Sequence, residues 1–226
     1  MGSIGAVVLA AGSASRMGRP KQTLQFRGQS LLRRAALAAL EGGCSPVIVV
    51  TGAHAELSRR ELDGFQVRLV FNPHWETGMA SSIRVGLRGV LAANPTATGA
   101  VFLLCDQPHV TADIISRLTE AHRLTESQIV ACSYGGGFGV PALFAAVFFP
   151  ALARLEDSAG AKHLIDQHAA DAYFLPFPAG EVDLDTPDDV SRLIAENCPL
   201  AVPRTTERHP LSTNTTQAAN PCRSTS

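Results

Sequence analysis

Hydrophobic runs of three to five residues alternate along this chain with longer stretches of helical period. Val7-Val8-Leu9 forms the first run, bounded by glycines at Gly5 and Gly12. Val47 to Val50, Val67 to Phe71, Ala100 to Leu104 and Ile129 to Cys132 are four more. They are continuous rather than alternating, as expected for strands buried on both faces of a parallel sheet. Between them, Leu31 to Leu40 carries Leu32, Ala35, Ala36 and Ala39 on one face, with Ser30 as N-cap. Short helices are expected at Ala55 to Leu62 and at Ser82 to Ala92, the latter capped by Ser81. Thr111 caps a helix reaching Arg123, whose apolar face is Ile114, Ile115, Leu118 and Ala121.

Further on the periodicity weakens. Ala142 to His168 suggests broken helix, and Tyr173 to Leu175 and Val182 to Leu184 suggest short extended pieces. Thr186-Pro187-Asp188-Asp189 carries the start signals of a last helix. Pro199 to Ser226 has hardly any apolar content and is expected to be a disordered polar tail. The expectation is an α/β fold: one three-layer Rossmann-like domain over 1–198, with a mainly parallel sheet, and a tail over 199–226. Ligands of such sheets sit outside the carboxyl ends of the strands. The loops after Leu9, Val50, Phe71, Leu104 and Cys132 then share one rim.

Composition narrows the classes. The 226 residues are 46% hydrophobic with formal net charge −1. That suits one globular core and offers no overall field for nucleic acid or an anionic membrane. No apolar run approaches the ~20 residues of a membrane span, and no secretory leader is evident. Cys44, Cys105, Cys132, Cys198 and Cys222 are odd in number and include no C-x-x-C, which favours reduced thiols in a cytoplasmic protein. Cys105 has no cationic neighbour in sequence and reads as a buried small residue.

The candidate chemistry lies in the rim loops. Leu9-Ala10-Ala11-Gly12 opens into Ser13 to Lys21, with Arg16, Arg19 and Lys21 as cations. Backbone N–H groups and fixed positive charge are how a strand-to-loop exit holds phosphate. The stretch is neither a P-loop, since Gly12 to Gly18 is one residue too long, nor a G-x-G-x-x-G fingerprint. Arg16 and Lys21 are the expected phosphate ligands and catalytic cations. Asp106 follows a buried strand and is placed to hold Mg²⁺. Asp185 is the preferred second carboxylate, with Asp183 its near competitor. Thr51, Gly52, Gly78, Met79 and Ser82 line loops that edge a base, and Trp75 serves either core or lid.

These motifs together resemble the nucleotidyltransferases that act on the molybdenum cofactor, and among them the molybdenum cofactor cytidylyltransferases. The resemblance is carried by Leu9-Ala10-Ala11-Gly12 through Arg16-Met17-Gly18 to Pro20-Lys21. It continues in Asn72-Pro73, Trp75, Gly78-Met79 and Ser82, in Cys105-Asp106-Gln107-Pro108, in Gly139 to Phe144, and in Asp183 to Asp189. It implies CTP and Mg²⁺, molybdopterin as acceptor, and transient contact with a molybdenum hydroxylase. Catalysis would fall to Lys21, Arg16 and Asp106, and acceptor contacts to Gly139, Pro141, Phe144 and Lys162. Ala11, where guanylyl-transferring relatives carry glycine, favours cytosine. Two departures bear on the acceptor: Val140 replaces a histidine, and Asp157 to Lys162 replaces Gly-Asp-x-Gly-Ala-Arg. A same-fold transferase for another phosphorylated acceptor, and a non-catalytic carrier of the cofactor, are the alternatives.

Overall fold

The computed structural model describes residues 2–13, 20–157, 159–182 and 189. Among these residues, nine strands and six α-helices follow in order. They are β1 (Ile4–Ala10), β2 (Gln25–Phe26), β3 (Gln29–Ser30), α1 (Leu31–Glu41), β4 (Val47–Thr51), α2 (Ala55–Glu61), β5 (Arg68–Phe71), α3 (Met79–Ala93), β6 (Gly99–Leu104), α4 (Ala112–Thr125), β7 (Ile129–Tyr134), β8 (Gly137–Ala145), α5 (Phe149–Ala153), α6 (Ala161–Gln167) and β9 (Tyr173–Pro176). Seven strands form one sheet in the order β5-β4-β1-β6-β8-β7-β9. All pairings are parallel except those of β8, which is antiparallel to both β6 and β7. β2 and β3 form a separate small hairpin.

The central strands are apolar throughout because both faces are covered. Val8, Ala10, Val49, Val101 and Leu103 pack against α1 and α4 through Leu32, Ala36, Ile115 and Leu118. Val7, Val50, Phe102, Ala131 and Phe144 face α3, α5 and α6 through Ile83, Leu87, Leu152 and Ile165. The expected three layers are therefore present. Gly86 lets α3 approach the sheet: a Cβ there would lie 2.2 Å from a Val7 methyl and 3.0 Å from a Val50 methyl.

The first six expected elements appear within a few residues of their anticipated limits. Ser30 caps α1 by accepting from the Arg33 N–H at 3.3 Å. Two expectations are corrected. α3 begins at Met79, three residues early, with Gly78 at the N-cap position. Ser81 is not a cap. Its hydroxyl, 4% exposed, lies inside the loop network described below. The second correction concerns Ala142 to Ala145, which form no helix: they are the end of β8 in the middle of the sheet. A strand buried on both faces has no polar alternation to distinguish it from helix. The last helix and the tail lie outside the described residues, as do Asp183 and Asp185.

Gly86→Val should destabilise the fold by about 2 kcal/mol or more. Overpacking a full core and adding a β-branched helix residue act in the same direction. A lowered urea midpoint with unchanged slope checks this, and an unchanged midpoint contradicts the packing account.

Candidate active site

Because β1, β4, β5, β6, β7 and β9 run in one direction, their carboxyl ends form a single rim. β1 and β6 are neighbours there, with Leu9 paired to Leu104. The chain leaves β1 through Ala11 and Gly12 and returns at Pro20. Lys21 then opens a 3₁₀ turn, Lys21–Thr23. Its Nζ lies 2.9 Å from Asp106 Oδ2, just past the end of β6. Both side chains are mostly withdrawn from water, at 16% and 19% exposed. Asp106 Oδ1 is buried and has no hydrogen-bond partner among the described residues.

A carboxylate with one oxygen held by a cation and the other unsatisfied suits a hard divalent ion. That observation makes Asp106 a fit for a metal ligand. One carboxylate is a partial set, and among the described residues no group of three or more His, Cys, Asp or Glu gathers. Asp185 and Asp183, the sequence candidates for completing it, lie outside the described residues, as does Arg16.

The floor of the rim is built from small residues in close contact. A Cβ on Gly52 would come within 2.5 Å of the Ala11 carbonyl and 2.8 Å of Trp75 Cγ, so glycine is required for β4's exit to pass under the first loop. The Ala53 N–H donates to that same Ala11 carbonyl at 3.1 Å. Trp75, partly buried, closes over Gly52 at the rim. His54 donates from Nε2 to the Ser13 carbonyl at 3.1 Å. Leu9 and Ala10 turn their side chains into the core, so they can serve a nucleotide through backbone alone. Thr51 is likewise buried at the end of β4, and its carbonyl accepts from the Asn72 N–H at 2.8 Å.

Asn72, fully buried, organises the third loop. Its Nδ2 donates to Ser81 Oγ at 2.8 Å and Ser82 Oγ at 3.0 Å, and its Oδ1 accepts from the His74 N–H at 3.0 Å. Ser81 Oγ also lies 2.9 Å from the His74 carbonyl and 2.8 Å from the Gly78 carbonyl. Ser82, buried, is thereby engaged by Asn72. Gly78 has φ +128°, and a Cβ there would lie 2.2 Å from the Asp157 carbonyl oxygen. Met79 is half exposed at the start of α3, with its sulfur beside Gly160.

The expected acceptor residues do not converge. Phe144 is a correction: it is fully buried at the opposite end of β8, paired with Ala100 and edge-on to Phe102 and Phe148. Gly139 and Pro141 are buried in β8. Gly139 lies under the Tyr134 hydroxyl, which a Cβ would meet at 2.6 Å. Lys162, exposed on α6, sits 5.9 Å from the Phe138 ring centre. Gln107 joins the two regions by donating from Nε2 to the Val140 carbonyl at 3.2 Å, a carbonyl that also accepts from Tyr134 Oη at 3.0 Å.

These strand exits carry a partnered lysine and carboxylate beside a floor too small for side chains. A family model described as the MobA-like NTP transferase domain matches residues 6–172. The chain belongs to the MobA-like NTP transferase family. It is 39% identical over 120 residues to the nicotine blue oxidoreductase of Paenarthrobacter nicotinovorans, covering 52% of this chain and 56% of that one. It is 31% identical over 193 residues to the purine catabolism protein PucB of Bacillus subtilis, covering 81% and 92%. To the molybdenum cofactor cytidylyltransferase of Escherichia coli it is 29% identical over 119 residues, covering 52% and 59%. The chain thus spans little more than half of the first and third. Among solved structures, Rv0371c of Mycobacterium tuberculosis superposes with a TM-score of 0.71 at 33% identity, covering 86% of this chain and 99% of that one. A second structure of Rv0371c, in complex with manganese, superposes at 0.66 with 32% identity over 86% and 98%. The expected nucleotidyltransferase fold and enzyme class are borne out. Among the described residues no helix is long and apolar enough to cross a membrane.

Cys105 is 7% exposed, and burial first, then the neighbouring Asp106 charge, push its thiol well above the usual range. Burial pushes Cys44 and Cys132 up to about 12. Raised values keep the thiols protonated at pH 8, so they lack the reactive thiolate. In the folded protein, iodoacetamide at pH 8 should leave Cys44, Cys105 and Cys132 unlabelled by peptide mass spectrometry. Labelling of Cys105 before unfolding would contradict its placement.

Proposed function

We propose that this enzyme transfers CMP from CTP to the terminal phosphate of molybdopterin, releasing pyrophosphate. The observation that carries the reading is the Lys21–Asp106 pair at the joined exits of β1 and β6, with Asp106 Oδ1 left unsatisfied. The acceptor's phosphate oxygen forms a bond to the α-phosphorus of CTP, and the bond from that phosphorus to the β-phosphate bridge oxygen breaks. No protein nucleophile is needed, and the buried Cys105 does not offer one. The protein's part is positioning and charge stabilisation.

Lys21 places an ammonium where negative charge builds on the phosphates. Its position is fixed by Asp106 on one side and by the 3₁₀ turn on the other. Arg16 is assigned the second phosphate contact. Asp106, with Asp185, would hold Mg²⁺. When bound, that ion supplies charge neutralisation on the triphosphate and the departing pyrophosphate. The manganese complex of Rv0371c supports divalent-metal use in the family. Ala11, Gly12 and Gly52 form the floor for base and ribose, with Gly78, Met79 and Ser82 along its edge, and Ala11 favours cytosine over guanine. On the acceptor side Lys162 is the remaining candidate cation, beside Gly139 and Pro141. A molybdenum hydroxylase is the expected recipient of the product. Neither nucleic acid nor membrane enters the scheme, and a cytoplasmic setting suits it.

The test incubates the full chain with Mg²⁺, each nucleoside triphosphate in turn and purified molybdopterin, and measures pyrophosphate. Release with CTP that requires molybdopterin is expected. Release with GTP in place of CTP overturns the assignment of the base. Release with no acceptor overturns the transfer. Absence of release with every pair overturns catalysis in favour of a carrier. Lys21→Ala should lower kcat by about 10²–10³-fold, the loss of one preorganised donor. Full turnover of that variant with saturating Mg-CTP contradicts the role of Lys21.

A further inference from the structure

We propose that Gln22 is a positioning residue that sets the spacing between the nucleotide floor at Ala10 to Gly12 and the phosphate cation Lys21. The inference deepens the proposed function and rests on it for its kinetic part. Gln22 is 1% exposed, beneath the neck where the first loop leaves β1 and returns. Its Nε2 donates to the Ala10 carbonyl at 2.8 Å and to the Gly12 carbonyl at 3.1 Å. Both partners are carbonyl oxygens and only accept, so the orientation of the amide is fixed. One amide therefore joins the outgoing limb of the loop to the returning one.

Three observations separate this contact from ordinary core filling. Gln22 Oε1 is buried and has no hydrogen-bond partner among the described residues. A core selected for stability alone would hold Leu or Met here and bury no unsatisfied oxygen. Gly12 is exposed, and a Cβ built on it would touch none of the described residues within 4 Å, so packing against them does not fix its backbone. Glycine has the greatest backbone freedom to lose, and the Gln22 amide is the side-chain contact on its own carbonyl, between Ala11 held by the Ala53 N–H and Ser13 held by His54. Finally, Gln22 follows Lys21 directly in a short 3₁₀ turn. Anchoring Gln22 to β1 while Lys21 is anchored to Asp106 makes the turn a spacer between two strand exits.

The consequence for a ligand comes from peptide planarity. Holding the Ala10 and Gly12 carbonyls also sets the directions of the Ala11 and Ser13 N–H groups. A nucleotide then meets donors already oriented, and its binding is not charged with ordering the loop. Losing the clamp should raise KM for CTP and leave kcat nearly intact, because saturating nucleotide re-imposes the same geometry.

Two variants test this. Gln22→Leu removes both the clamp and the orphan oxygen. Its thermal midpoint should not fall below wild type, while KM for CTP rises about tenfold, the scale of one to two lost hydrogen bonds. Gln22→Glu keeps the shape. Ionised, it faces two carbonyl oxygens without a donor; protonated, it regains one. Its KM should therefore fall toward the wild-type value between pH 8 and pH 6, a descent absent from wild type. Wild-type KM in both variants, or a KM that tracks a falling thermal midpoint, overturns the proposal. The clamp is also read without substrate. In nucleotide-free Gln22→Leu, amide hydrogen exchange over residues 10–13 should be faster than in wild type. Unchanged exchange overturns the clamp even if the transfer reaction stands. Faster exchange in a protein that transfers nothing upholds the clamp and overturns the function instead.

Discussion

The Lys21–Asp106 pair is the constraint around which this fold is arranged. Two opposite charges, each less than a fifth exposed, sit at the exits of adjacent parallel strands. Removing charges from water costs more than their attraction reliably returns, so such a pair is weak support for stability. Chemistry explains it better. Parallel pairing of β1 with β6 brings two carboxyl ends side by side, and a lysine from one exit meets an aspartate from the other. The flanking strand β4 delivers Gly52 beneath the same loop. The apolar sheet is the means, since only strands buried on both faces hold their ends in such fixed register.

The reversed strand β8 has a comparable role on the other side. The chain turns at Gly135-Gly136, both with positive φ, and runs back between β6 and β7. This sets the Val140 carbonyl where Gln107 and Tyr134 both reach it. Gln107 follows Asp106 directly, so the carboxylate's backbone is tied to β8. The reversal was not legible in the sequence. Ala142 to Ala145 reads Ala-Leu-Phe-Ala, apolar at every position, and two-sided burial erased the period that would mark a strand. Phe144 was misplaced for the same reason. Without the strand direction, its distance from Gly139 along β8 could not be translated into opposite ends of the sheet.

What was legible in the site follows one rule. Charged residues after buried runs announce themselves, since they cannot belong to the core; Lys21 and Asp106 were found that way. Gly52 and Gly78 were named as lining loops that edge a base, and each sits where a Cβ would clash, at Ala11 and Trp75 for one and at the Asp157 carbonyl for the other. Neutral polar residues inside the scaffold carried no such mark. Gln22 and His54 are ordinary in sequence and Asn72 was marked only through the resemblance; the tertiary arrangement is what makes all three bond to the loops. Ser81 shows the converse. It looked like a cap because serine before a helix usually is one, yet Asn72 engages its hydroxyl and the helix starts at Met79, with Gly78 at the cap position.

The loop held by Asn72 also connects the two halves of the proposed site. Gly78 packs against the Asp157 carbonyl with no room for a Cβ, and Met79 lies beside Gly160. One turn further along α3, Arg84 donates to the Leu155 carbonyl and the Asp157 carboxylate. The exposed Asp157 carboxylate makes that ion pair worth little by itself. Its effect is geometric, because the same guanidinium also holds a backbone oxygen two residues away. The segment leading into α6, and so to Lys162, is thereby fastened to the loop that edges the base. Under the proposed function, nucleotide and acceptor would meet a shared wall rather than two independent pockets. A change at Asp157 to Lys162 is transmitted to Gly78 through contacts too close to absorb it. For the proposed transfer, in which a phosphate oxygen is aligned with an α-phosphorus, a wall of this kind makes acceptor identity and nucleotide placement parts of one problem.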